Sequence, residues 1–272
     1  MTDQKNILVT GATDGIGRQI ALELARQGYR LLLHGRSLAR GEPALNELRR
    51  ETGNADLSLY LADYASLEQV RMMADDIARD HTRLDGLINN AGSFFHEYIP
   101  AGDGADMTMR VNHFAPLLLT LRLMPLLKAN APSRIVNIAS SAHVGVKELD
   151  FNNLINRETY DGVRVYSISK LANIMATYDL ADQLAGSGVT VNCLHPGAID
   201  TKLMRDSFKL EGASVEQGAQ TPVYLATSSE VEGISGKYFI RMQERPSSPL
   251  SNDPAARRQM REISEKAIAA FL

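Results

Sequence analysis

Short apolar, β-branched runs recur along this chain at near-regular intervals: NILVT, RLLLH, LSLYL, LDGLI, RIVNIA, VTVNCL and GKYFI. Between them the apolar residues switch to helical spacing, as in Ile20, Leu24 and Ala25, or Leu67, Val70 and Ile77. A short, uniformly apolar run bounded by turn residues suits a strand buried on both faces, and strands that alternate with helices pair in parallel through right-handed crossovers. The pattern therefore predicts an α/β fold: a doubly wound, seven-stranded, mostly parallel sheet with helices on both faces. In such a sheet ligands bind at the carboxyl ends of the strands, so the chemistry should lie in the segments just after them.

With 272 residues and 44% hydrophobic content the chain can bury one large core, and residues 1–272 are expected to form a single domain. A formal charge of −3, with basic runs no longer than pairs such as Arg257-Arg258, argues against nucleic acid or anionic membrane as a partner. The start, MTDQKNILVT, has no signal-peptide pattern and no 18-residue apolar span occurs, which predicts a soluble, cytoplasmic protein. The single cysteine, Cys193, cannot form an internal disulfide and is expected to be a buried strand residue. Six histidines without metal-ligand spacing, and the lack of a G-x-S-x-G elbow, argue against zinc and serine hydrolases.

The first predicted strand runs into TGATDGIGRQIALELA, with glycines at 11, 15 and 17 leading directly into a helix. The spacing is G-x-x-x-G-x-G, not G-x-G-x-x-G, but the mechanics carry over. Glycines allow a tight turn and close approach to a diphosphate, and the helix amino terminus offers unpaired N–H groups. Gly11, Asp14, Gly15, Ile16 and Gly17 are the candidate phosphate cradle, with a purely structural turn as the alternative. At the end of the second strand the sequence LLLHGRSLARGE offers Arg36, and the nearest acid, Glu42, lies in the next helix. A carboxylate there would suit the ribose hydroxyls of NAD(H); an arginine suits a 2′-phosphate, so NADP(H) is the expected cofactor.

Residues 166–170 read YSISK. Positions i and i+4 share one helix face, so the Lys170 ammonium can sit near the Tyr166 phenol. A neighbouring positive charge lowers a phenol pKa from its reference near 10, the direction needed by a general acid/base at neutral pH.

Taken together, TGATDGIG, NNAG at 89–92, the serine of NIASS, YSISK and HPG at 195–197 stand in order on successive strand-to-helix junctions. The whole chain resembles the short-chain dehydrogenase/reductase family, whose members have a Rossmann fold. VNHFAP, RIVNIASSAH, YSISKLAN, SGVTVNCLHPG and GKYF look like its retinol dehydrogenase-like branch. The membrane anchor often found in that branch is not expected here. The resemblance implies that Tyr166 is the acid/base and that Lys170 holds the nicotinamide ribose and lowers the tyrosine pKa. It implies that Ser140 positions the substrate oxygen, with Ser141 the less favoured neighbour, and that Asn112 completes a proton relay. It also implies that Asp63 and Asn90 lie near the adenine, Ala91 and Gly92 along the cofactor, and Pro196, Gly197, Ile199 and Thr201 around the nicotinamide amide. Asp14 departs from the pattern, standing where many NADP-preferring members carry a basic residue.

The implied activity is hydride transfer between nicotinamide and a carbonyl or alcohol, with a homo-oligomer, dimer or tetramer, as the expected assembly. Phe94, Phe95, Tyr160, Met204 and Phe208 fall in loop-like segments (93–106, 143–162 and 202–214) that could surround an apolar substrate, the last of them as a lid. A carbon–carbon double-bond reductase or epimerase on the same scaffold, and a non-catalytic NADP-binding regulator, are the competing readings.

Overall fold

The computed structural model describes residues 4–102, 104–208 and 212–272. Its strands are β1 (Asn6–Val9), β2 (Arg30–Gly35), β3 (Leu57–Leu61), β4 (Gly86–Asn89), β5 (Ser133–Ile138), β6 (Val189–His195), β7 (Tyr238–Ile240) and β8 (Gln243–Glu244). They form one sheet in the order β3-β2-β1-β4-β5-β6-β7-β8. Every pairing up to β7 is parallel, and β8 returns antiparallel on the edge. The chain winds outward from β1 to β3, then restarts at β4 on the other side. The boundary between β1 and β4 is therefore the switch point at which a ligand crevice opens.

Eight strands replace the seven expected. The extra one closes a two-residue hairpin whose turn residues, Arg241 and Met242, both have positive φ, 52° and 60°. That is the backbone twist a tight hairpin requires, usually supplied by Asn-Gly, so an Arg-Met turn carries no sequence signal.

The sheet is covered on both sides because its strands alternate their apolar residues between two cores. Leu8, Leu32, Leu87, Ile135 and Val191 face α3 (Leu67–Asp80), α5 (Ala115–Ala129) and α6 (Gly162–Gln183). Ile7, Val9, Leu31, Leu33, Ile88 and Val136 face α1 (Gly15–Arg26), α2 (Leu38–Thr52) and α8 (Val215–Thr227). The short α4 (Met107–Met109) continues through one π-helical turn, Arg110–Phe114, into α5. The segment 202–214, expected as a loop, contains α7 (Lys202–Phe208). After β8 come α9 (Pro249–Asn252) and α10 (Pro254–Ile268). Asp253 caps α10 by accepting from Ala256 N at 2.7 Å, and Pro254 takes the first helical position.

Candidate active site

A cleft of about 890 Å³ runs across the carboxyl ends of the strands, within the range that binds a cofactor-sized ligand. Its lining includes Gly11, Asp14, Gly15, Ile16, Gly17, Arg36, Asp63, Asn90, Ala91, Gly92, Ser140, Tyr166, Lys170, Pro196, Gly197, Ile199 and Thr201. Every sequence-predicted site residue except Asn112 thus borders one cavity.

At its β1 end the cleft is made of backbone. Gly11 and Gly15 have positive φ, 65° and 53°. A Cβ on Gly17 would sit 2.2 Å from Gly11 O and 2.3 Å from Asn90 Nδ2, so only glycine lets the helix start this close to β1. Asn90 fastens the arrangement: its amide donates to Thr10 O at 2.8 Å and Gly11 O at 3.3 Å. Thr10 Oγ1 accepts from Asn90 N and Ala91 N at 2.9 and 3.0 Å, which staples the turn after β4 to the turn after β1. His34 supports the loop from below. Its Nδ1 accepts from Gly11 N at 3.2 Å, and its Nε2–H donates to Ala62 O at 3.0 Å. Burial pushes this imidazole down to about 4, so it stays neutral and keeps one acceptor and one donor. Nothing in the sequence marks His34 for this task.

This end fits a dinucleotide. The first-turn N–H groups of Ile16 and Gly17 have no intrahelical acceptor, and the glycine cradle leaves room for a diphosphate against them. Arg36, exposed after β2, makes no ion pair among the described residues. Asp14 caps α1 through Gly15 N at 2.7 Å, and its other carboxylate oxygen meets Arg40 at 3.0 Å. Arg40 also lines the cleft, a residue that the sequence reading missed because it lies one helical turn beyond Arg36.

At the β5–β6 end the cleft is made of side chains, Lys170 buried and Tyr166 and Ser140 half-buried. Lys170 is 4% exposed, and its Nζ donates to Ile138 O at 3.1 Å while lying 5.5 Å from the Tyr166 ring centre. Ser140, the first cap of the turn Ser141–Gly145, lines the cleft with Tyr166, and Phe94 packs its ring 5.8 Å from that of Tyr166. The expected depression of the Tyr166 pKa is not what this geometry produces. Burial pushes Tyr166 up to about 12, with the Ser140 hydrogen bond acting in the opposite direction, and burial lowers Lys170 to about 8. Helical spacing set the two side chains on one face, but it could not show that desolvation would dominate at both.

Asn112 stands one layer behind the cleft, 1% exposed, in the π-helical turn. Its Oδ1 accepts from Ser93 N at 2.7 Å, and its Nδ2 donates to Ser93 O at 2.9 Å and Ser169 Oγ at 3.1 Å. Of the five residues suggested for a substrate mouth, Phe94, Phe95 and Met204 line the cleft. Tyr160 is set back, its hydroxyl 3.2 Å from Thr108 Oγ1, and the Phe208 side chain lies outside the described residues. The two loops that form this mouth meet at Gly162, where a Cβ would come within 2.4 Å of Phe95 O and 3.2 Å of the Phe94 ring. Ser141 and His195 also border the mouth, 3.3 Å apart through Oγ and Nε2.

Comparison with known proteins agrees with this architecture. The family model for short chain dehydrogenases matches residues 5–212. Human retinol dehydrogenase 14 is 40% identical over 96% of this chain and 85% of its own length. Human retinol dehydrogenase 13 is 40% identical over 94% of this chain and 82% of its own. Among solved structures, a protein of Shigella flexneri described as a short chain dehydrogenase and complexed with NADP superposes with a TM-score of 0.72 at 26% identity, covering 88% of this chain and 97% of that one. An Escherichia coli protein, described likewise and complexed with NADPH, gives the same TM-score, identity and coverage. No helix among the described residues is long and apolar enough to cross a membrane. The chain belongs to the short-chain dehydrogenase/reductase family, in its retinol dehydrogenase-like branch, and is an NAD(P)(H)-using oxidoreductase of alcohol and carbonyl groups.

Proposed function

We propose that this enzyme is NADP(H)-dependent and exchanges a hydride with the carbonyl or alcohol carbon of an apolar small molecule. The observation that carries the reading is the half-buried Tyr166 side chain, which borders the cleft together with Ser140 and Lys170 and lies beside the Phe94 ring. Bound nicotinamide would supply or accept the hydride. Tyr166, held above its ordinary pKa, keeps its proton at neutral pH and can donate it to a carbonyl oxygen. Ser140 orients that oxygen through its hydroxyl. Lys170 lies at the cleft wall, where its ammonium can hold the ribose. Asn112 braces the backbone of Ser93, which lines the cleft.

Arg36 and Arg40 support the choice of NADP(H): two guanidinium groups border the end of the cleft beyond β2, and Arg40 answers the carboxylate of Asp14. The complexes of the two bacterial neighbours with NADP and NADPH point the same way. Phe94, Phe95, Ile99, Leu203 and Met204 make the mouth apolar, and the relatives' names point to retinol, an apolar alcohol. We further propose a single domain in a cytoplasmic homo-oligomer, which sedimentation and cell fractionation would check.

NADPH and NADH absorbance followed with apolar aldehydes and ketones, wild type beside Tyr166→Phe, tests the reading. Loss of the phenol hydroxyl should lower turnover by about 10²–10⁴-fold with cofactor binding retained. Near-wild-type turnover in Tyr166→Phe would refute it.

A further inference from the structure

The family model ends at residue 212, yet the segment beyond β8 reaches back to two residues of the site through buried histidines. His143, 1% exposed, lies 2.6 Å from Ser140 O through Nδ1 and accepts the Ser248 N–H at 3.0 Å through Nε2. Accepting at Nε2 requires the proton on Nδ1, so the ring donates to Ser140 O. The imidazole therefore spans from the backbone of Ser140 to the residue that opens α9.

A second histidine repeats the arrangement. Asn173 Nδ2 donates to Asn112 O at 2.9 Å, a carbonyl in the π-helical turn. Its Oδ1 then faces His113 Nδ1 at 2.9 Å, which must carry the proton. His113 Nε2 is left as an acceptor, and Ser264 Oγ of α10 lies 2.8 Å from it. Met260 O, 2.7 Å away, shares that same hydroxyl proton. The same segment is anchored to α6, the helix of Tyr166 and Lys170. Arg257 pairs with Asp179 and Asp182, both at 2.6 Å, and Tyr178 bonds Ser247 at 2.7 Å.

We infer that residues 247–268 are a positioning clamp for the active site, holding Ser140 through His143 and the Asn112 turn through His113. This rests on the roles proposed above for Ser140 and Tyr166. Ser248, His143, His113 and Ser264 are positioning residues that touch neither substrate nor cofactor.

Ser248→Pro isolates the first bond. Proline removes the N–H yet fits the φ of −63° that residue 248 already adopts. Ser248→Ala keeps the N–H, and the Ser248 side chain is no part of the clamp. The expected result is a kcat about tenfold lower in Ser248→Pro, with cofactor KM unchanged, and a kcat within about twofold of wild type in Ser248→Ala. Loss of stability alone would lower the melting temperature and leave the kcat of the folded fraction intact. Wild-type kcat in Ser248→Pro, while Tyr166→Phe is inactive, overturns the clamp alone; wild-type kcat in both overturns the catalytic reading and the clamp with it. Should Ser248→Pro fail to fold, Ser264→Ala decides the matter: a severalfold fall in kcat upholds the clamp, and an unchanged kcat overturns it.

Discussion

The two ends of the cleft are built on opposite principles. At the β1 end the working surface is backbone: glycines 11, 15 and 17, the open start of α1, and hydrogen bonds from Asn90 and His34 that keep the turn in shape. Charged groups there, Arg36, Arg40 and Asp14, stand in solvent. At the β5–β6 end the working surface is side chain, with Lys170 buried and Tyr166 and Ser140 half-buried. An exposed guanidinium is screened and adjustable, whereas a desolvated phenol or ammonium has its proton affinity dictated by its surroundings. One end is limited by the room between backbones, the other by the cost of desolvation.

The largest consequence falls on volume at the backbone end. Gly17→Val places methyl groups onto Gly11 O and Asn90 Nδ2, neither of which can move without opening the β1–β4 junction. Cofactor titration by fluorescence should show no saturable binding, and measurable affinity would mean that the cradle is looser than its contacts imply. The next effect is one of charge. Arg36→Ala should weaken NADPH by about tenfold or more and leave NADH almost unchanged, a loss typical of one charge-assisted contact to phosphate. An unaltered NADPH preference would transfer that role to Arg40.

A third expectation concerns protons. His34 at the backbone end and His113 behind the side-chain end are both lowered to about 4, against an ordinary 6.5. Between those values the unfolded chain binds protons that the folded chain refuses. Stability is therefore fully present above pH 6.5 and falls as pH drops toward 4, each histidine contributing a slope of up to about 1.4 kcal/mol per pH unit. Urea midpoints measured from pH 7 down to pH 4.5 should show this decline, and His34→Gln should make it shallower. The smallest effect is at the mouth. Phe94→Ala should raise substrate KM severalfold while leaving cofactor KM alone, because the ring packs beside Tyr166 and not against the glycine turn.

Legibility in the sequence follows the same division. The strands and the glycine turn could be read directly, since each is a local rule: apolar runs make buried strands, and close backbone approach needs glycine. Tyr166 and Lys170 could be placed on one face, but not their protonation, because depth of burial is not a property of spacing. His34, His113 and His143 gave no signal, since their partners lie 28, 151 and 105 residues away in sequence. Arg40 was passed over for Arg36, and β8 was invisible because its turn uses Arg241 and Met242 where a hairpin ordinarily uses Asn and Gly.

Gly162 has a bearing on how such an enzyme could change its diet. It is the first residue of the helix that carries Tyr166, and the Phe95 carbonyl occupies the space a side chain would need. Mouth and catalytic helix are thus in register by direct contact, with no slack between them. Heritable widening of substrate range has to come from the ring positions, Phe94 and Phe95, while position 162 stays invariant; a library that randomises all three should return glycine at 162 in nearly every active clone.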